Sequence, residues 1–149
     1  MHTILLRNPN ALMQPDIQQL LKRAIDKGTF LAPGGFDTVA QDIINFVTDP
    51  RQFMVLGAED GKFKCVCVGY LPVGNLFPYP TIVMIYNEGS RALSVDVQAE
   101  VMDFMVSNGY TRCLAVNTSG HSDAAWQKVL TLPEVKSEKV GSLVLFEVK

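Results

Sequence analysis

The sequence predicts an α/β fold within a chain of 149 residues, and three observations carry that prediction. Two segments of helical period are followed by a switch to period two around an Asp-Gly pair, the pattern of an antiparallel hairpin. A later strand, helix and strand follow one another within about 35 residues, the length of a right-handed crossover whose two strands run parallel. Hydrophobic residues make up 48% and charged residues 19%, which supplies one core and excludes disorder, collagen and coiled coil.

Taken in order, Thr3 to Arg7 is a short apolar run, a first strand ended by the turn formers Asn8, Pro9 and Asn10. Ile17, Leu20, Leu21, Ala24 and Ile25 then recur at helical spacing, with Pro15 suited to the first turn and Gly28 to the stop. A loop through Pro33, Gly34 and Gly35 leads to Asp37, the expected N-cap of a second helix that carries Ala40, Ile43, Ile44 and Val47 and ends at Pro50. Gln52 to Ala58 and Phe63 to Tyr70 are strands, joined by Glu59-Asp60-Gly61-Lys62. Leu71 to Pro80 is a loop, and Thr81 to Tyr86 is a strand apolar enough to be buried on both faces. A helix covers roughly Ala92 to Ser107 with Val95, Ala99, Met102 and Val106 on one apolar face, and Asn108-Gly109 ends it. Arg112 to Asn117 is a strand, Ser122 to Leu130 a short helix broken by Pro133, and Ser142 to Val148 a last strand. No internal repeat or long linker divides the chain, so a single domain over 1–149 is expected.

Thirteen Lys and Arg against fifteen Asp and Glu leave a formal charge of −2. That argues against a nucleic-acid binder, which needs surplus cations to release counterions. No stretch approaches the ~20 apolar residues of a membrane span, and the apolar start is too brief for a signal peptide. A soluble, cytoplasmic protein without a membrane partner is expected. Cys65, Cys67 and Cys113 are an odd number with no disulfide spacing, which fits a reducing compartment. Cys65 and Cys67 share one face of a strand, but His2 and His121 lack ligand spacing, so buried thiols are expected and no metal. Ser119, His121 and Asp123 crowd one loop with no nucleophile elbow, which makes them a helix entry rather than a hydrolase triad. Gly34-Gly35 has no strand before it and no Lys-Ser/Thr after it, so it is not a P-loop. Phe36, Phe77 and Tyr79 stand in loops, where they either line a groove or a protein interface or simply pack.

The derived order of strand, helix, helix, hairpin, strand, helix, strand, helix, strand resembles the GCN5-related N-acetyltransferase (GNAT) superfamily over nearly the whole chain. Val55-Leu56-Gly57-Ala58-Glu59-Asp60-Gly61 with Val68-Gly69-Tyr70 is similar to that family's second and third strands, and Gly109-Tyr110 before the strand ending at Asn117 is similar to its C-terminal half. The resemblance implies a mixed, mostly antiparallel sheet of about six strands with helices on both faces, acetyl-CoA as cofactor and an amine as acceptor. It also implies that the strands matching Thr81 to Tyr86 and Arg112 to Asn117 splay apart around the cofactor. Backbone groups of Met84, Ile85 and Tyr86 would hold its pantetheine arm, with Asn117 on the far wall. Its pyrophosphate would sit on the turn into the long helix, at Gly89, Ser90, Arg91, Ser94 and Val95, where free N-H groups and the helix dipole favour an anion.

The family's turn runs Arg or Gln, two residues, Gly, one residue, Gly or Ala. Here Arg91 keeps the first position, but Ser94 and Asp96 replace the small residues, and a carboxylate beside a pyrophosphate repels it. A shift of the turn would bring Asn87-Glu88-Gly89-Ser90-Arg91 into play as an anion-holding nest. If His121 and Ala124 match the family's Asn and Ala, the general-acid Tyr falls at Lys128 and the family's Gly-Phe at Leu132-Pro133. Glu88, just past the central strand, stands where several members keep a base or order a water. Two functional classes follow: an N-acyltransferase working mainly by positioning, with Glu88 and Lys128 as its catalytic candidates, and a degenerate member that binds another protein. Small degenerate versions of the fold look like those that bacteriophages encode, as virion components or as proteins acting on a host enzyme. Trp126 is expected either to line the cofactor channel or to fill it.

Overall fold

The computed structural model describes residues 1–130, 135–141 and 143–148. Five strands form one sheet in sequence order: β1 (His2–Leu5), β2 (Gln52–Glu59), β3 (Lys62–Tyr70), β4 (Thr81–Asn87) and β5 (Leu114–Ala115). The first three pairings are antiparallel and β4 to β5 is parallel. The helices are α1 (Pro15–Lys27), α2 (Ala40–Thr48), α3 (Arg91–Ser107) and α4 (Asp123–Val129). Short 3-10 turns at Pro9–Met13 and Phe36–Val39 precede α1 and α2. None of the helices among the described residues is long and apolar enough to cross a membrane.

Each element has a local cause. Pro15 opens α1, and Ile17, Leu20, Leu21, Ala24 and Ile25 are all buried along its inner face. The hairpin turns at Asp60 and Gly61, with φ of 56° and 76°. A turn with two left-handed residues matches the twist of the strands it joins, which is why Asp-Gly stands there. Ser90 and Ser122 cap α3 and α4 by accepting from the amides of Leu93 and Ala125.

The core lies in two clusters, one on each face of the sheet. Leu20, Leu21, Val47, Met54, Leu56, Val66 and Met84 gather under α1 and α2. Phe53, Val55, Cys67, Ile82, Ile85, Val97, Val101 and Trp126 gather under α3 and α4. In β2 and β3, alternate residues therefore feed opposite clusters, and both strands read as continuous apolar runs.

Three expectations are corrected. The inner face of α3 is Leu93, Ser94, Val97, Gln98, Val101 and Met105, whereas Ala99 and Val106 face solvent. The helix is apolar around most of its circumference, so periodicity offers two stripes, and the buried one includes two polar residues that pair with each other. The strand expected at Arg112 to Asn117 shrinks to Leu114–Ala115, bonded through Leu114 N to Pro80 O and Val116 N to Ile82 O. Residues 143–148 of the expected last strand join no sheet, and Leu145 and Phe146 are 89% and 87% exposed. An apolar run becomes a strand only when an edge pairs with it, so the described sheet has five strands rather than six. Ser142, Leu132 and Pro133 lie outside the described residues.

Candidate functional site

The sheet opens between β4 and β5. Only Thr81 and Ile82 pair with β5, at Leu114 and Ala115, and Val116 adds one bond to Ile82 O. From Val83 to Asn87, β4 has a strand neighbour only on its β3 side among the described residues. A bulge sits where the two strands part: Val68 faces Met84 while Gly69 faces Ile82, leaving Val83 as the extra residue. A bulge bends its strand and re-aims its side chains. Ile82 and Ile85 thus point to the α3 cluster, whereas Met84 and Tyr86 point toward α1 and α2. Along Met84, Ile85 and Tyr86 the unpaired edge offers backbone donors and acceptors to an extended ligand.

At the head of this edge, the turn into α3 is held by side chains of the chain itself. Asn87 Oδ1 accepts from Gly89 N at 2.9 Å, and Asn87 Nδ2 donates to the carbonyls of Gly89 and Ser90. Glu59, from the end of β2, accepts from Ser90 N at 3.2 Å and also from the Ser90 hydroxyl. These bonds, led by the hydroxyl, hold the Glu59 carboxyl below its ordinary value. The Ser90 hydroxyl oxygen in turn accepts from Leu93 N at 3.2 Å. A carboxylate therefore sits at the positive end of α3, where helix N-termini attract anions. The amides of Arg91 and Ala92, also in the first turn, have no intrahelical acceptor.

Glu59 was missed as a site residue because its Glu-Asp-Gly context reads as a turn. A signal was available two residues earlier. A Cβ on Gly57 would lie 2.6 Å from Val97 Cγ2 and 2.9 Å from Leu93 Cδ1, so α3 crosses β2 at van der Waals contact there. A glycine inside a strand marks such an approach, and this one delivers Ser90 to Glu59.

Glu88 leaves β4 on the other side and forms a forked ion pair with Arg23 of α1, with Nε to both carboxylate oxygens at 3.0 Å and Nη2 to Oε1 at 2.8 Å. The Tyr86 hydroxyl stands beside them; burial and the charge of Glu88 push its pKa up, and Arg23 opposes the shift. Arg91 is exposed on the first turn of α3 and Val95 half-buried, while Asp96 faces solvent away from the cluster. Ser94 is buried away from the turn, accepting from Gln98 Nε2 at 3.0 Å, and Gln98 also donates to Val129 O at 2.7 Å. This polar pair ties α3 to the end of α4. The Asn117 side chain donates to His121 O and accepts from the Ser119 amide and hydroxyl, so it shapes the loop into α4. Lys128 is exposed on α4. The structure thus brings Met84, Ile85, Tyr86, Gly89, Ser90 and Arg91 to one edge and leaves Ser94, Asn117 and Lys128 in other settings.

Trp126 is 7% exposed within the α3-side cluster, and its indole Nε1 is buried without a hydrogen-bond partner among the described residues. Cys65 and Cys67 are buried and Cys113 half-buried. Burial pushes the Cys65 thiol up to about 12 and Cys67 well above its ordinary value, the latter reinforced by the two neighbouring thiols. Such thiols are poor nucleophiles and poor metal ligands. Among the described residues no cluster of His, Cys, Asp or Glu could hold a metal ion. Ser119 and His121 serve the turn before α4, and Asp123 pairs with Lys139 at 2.8 Å.

No family model matches the chain, and no curated protein sequence is similar to it. Solved structures are similar in shape. An aminoglycoside 6'-N-acetyltransferase AAC(6')-IG from Acinetobacter haemolyticus superposes with a TM-score of 0.60 at 10% identity, covering 97% of this chain and 99% of that one. The corresponding AAC(6')-Ih from Acinetobacter baumannii gives 0.61 at 12%, covering 96% and 98%. A ribosomal-protein-alanine N-acetyltransferase from Brucella melitensis biovar Abortus 2308 gives 0.59 at 12%, covering 97% and 100%. With its crossover, its bulged central strand and the parted strands beside it, the chain has the GNAT acyltransferase fold.

Proposed function

We propose that the protein is an acyl-CoA-dependent N-acyltransferase, acetyl-CoA being the expected donor and an amine the acceptor. The observation that carries this reading is the bulged, one-sided edge of β4 from Val83 to Asn87, a backbone surface suited to an extended amide-containing arm. Acyl-CoA supplies a thioester whose carbonyl carbon forms a C–N bond with the amine as the C–S bond breaks, the thiol keeping the proton the nitrogen gives up. The backbone of Met84, Ile85 and Tyr86 binds the arm. The turn from Gly89 to Val95, with the first-turn amides of Arg91 and Ala92 and the Arg91 guanidinium, receives phosphate charge once Glu59 yields its place. Glu88, fixed by Arg23, orients a water or relays the amine proton on its way to the departing thiolate. Catalysis then rests on alignment, which needs few ionisable groups.

A second reading has its own observation. Glu59 fills the helix terminus, and α4 exposes Lys128, which the resemblance aligns with the family's general-acid Tyr if His121 and Ala124 match its Asn and Ala. A protein that keeps the fold and binds another protein, as a phage-encoded member would, needs neither the open turn nor the acid. Isothermal titration with acetyl-CoA separates the two. Micromolar binding that is lost in Arg91→Glu supports the enzyme, and no binding at millimolar acetyl-CoA leaves the binding protein.

A further inference from the structure

On the sheet face opposite α3, the helices α1 and α2 do not close over the strands. They leave a cavity of about 340 Å³, at the small end of the ~300–1,000 Å³ that ligand pockets span. Its walls include the buried Leu21, Ile43, Met54 and Val68. It reaches β4 at Val83 and Met84, the two consecutive residues that the bulge sets at the start of the unpaired edge. Asp42 of α2 is the one charged side chain among the described residues that line it.

We propose that this cavity takes the apolar body of a small monoamine, an arylalkyl or branched-alkyl primary amine, with Asp42 attracting its single positive charge. The proposal rests on the N-acyltransferase reading for what happens next. The ammonium gives one proton to water, and the free amine then forms the C–N bond as the thioester C–S bond breaks, its second proton passing to the departing CoA thiolate to give the thiol. Walls of this composition select against polycations, because each further ammonium group would be desolvated with no carboxylate to meet it. They also disfavour sugars, whose many hydroxyls would lose water along a mostly apolar wall on which Asn45, Gln52 and Tyr70 are the uncharged polar side chains. In this the cavity parts from the aminoglycosides named for two of the similar structures.

Saturation-transfer NMR on the full chain, with phenethylamine, isoamylamine, spermidine and kanamycin as probes, tests the class without any cofactor. Phenethylamine and isoamylamine should bind and the other two should not. Asp42→Asn, an exposed change, should weaken phenethylamine several-fold. Val39→Trp, placed on the cavity wall, should abolish its binding while circular dichroism stays unchanged. Acetyl-CoA titrations of both variants should match the parent. Tighter binding of spermidine or kanamycin than of phenethylamine overturns the proposal, as does acetyl-CoA binding with no monoamine bound at millimolar concentration. If phenethylamine binds in an Asp42-dependent way but acetyl-CoA does not bind, the monoamine site stands and the acyltransferase reading fails.

Discussion

One carboxylate decides how the end of α3 behaves. Glu59 holds both the amide and the hydroxyl of Ser90, so an incoming pyrophosphate meets a like charge and fewer free donors. Glu59→Ala should therefore tighten acetyl-CoA binding in calorimetry, and a weaker variant would mean that the phosphates go elsewhere. The same bonds set a pH dependence. The folded pKa of Glu59 lies below its ordinary 4.5, so its contribution is complete above that value and disappears as pH falls through the folded one. An NMR titration should show the Ser90 amide shifting with the Glu59 carboxyl in that acid range. Trp126 gives a second test at this scale. Buried in the cluster beside α3, it is expected to fill space that a cofactor channel would otherwise leave. Trp126→Ala should cost about 3–5 kcal/mol in urea unfolding, as large core truncations do. Trp126→Phe should cost clearly less, because it also removes an indole N-H that has no hydrogen-bond partner among the described residues. Saturating quenching of Trp126 fluorescence by CoA would reverse this view. Of these residues the sequence singled out Trp126 and passed over Glu59, whose partner is 31 positions away and is met only once α3 crosses β2.

Among the elements, the β3–β4 pair sets the geometry of the site. A Cβ on Gly69 would fall 2.1 Å from the Thr81 carbonyl oxygen and 2.7 Å from Phe53 Cζ. Backbone has no rotamer by which to escape such a contact, so Gly69→Ala should force β3 off the bulge. We expect a loss of stability of more than about 2 kcal/mol, in the range of overpacked cores, and lost protection of the β4 amides in hydrogen exchange. A native exchange pattern in that variant would mean that the bulge at Val83 is not fixed by this contact. Much at this scale was legible: α1 from its five-residue stripe, the hairpin from Asp60-Gly61, the parallel crossover from its length. The inner face of α3 was not, because Val95 and Val106 make as good an apolar stripe as Leu93 and Met105, and only packing against Gly57 chooses between them. Nor was the bulge, since a one-residue excess in a ladder leaves no mark on a continuous apolar run such as Thr81 to Tyr86.

For the molecule as a whole, the α3-side cluster stores three thiols that share one hydrophobic layer. Burial pushes the Cys65 thiol up to about 12 from an ordinary 9.0, and complete burial shifts Cys67 the same way. A thiol whose folded pKa is raised binds its proton more tightly in the native state. Stability is then unaffected below about pH 9 and falls as pH rises toward the folded value, because the unfolded chain gives up protons that the core retains. Urea midpoints should therefore drop as pH rises from about 9 toward about 11, and Cys67→Ala should flatten that slope while lowering the midpoint at neutral pH through the cavity it leaves. If the slope is the same in Cys67→Ala and in a Cys65→Ala, Cys67→Ala double variant as in the parent, the alkaline loss comes from other groups. The sequence anticipated buried thiols from Cys65-x-Cys67 on one strand face, but their mutual proximity to Cys113 depends on β5 lying beside β4, a long-range pairing. With that pairing only two residues long, the layer's cohesion comes from α3 and Trp126 above it. Thiol labelling under native conditions should accordingly modify the half-buried Cys113 first, and labelling of all three at one rate would show that the layer opens as a unit rather than at its β5 edge.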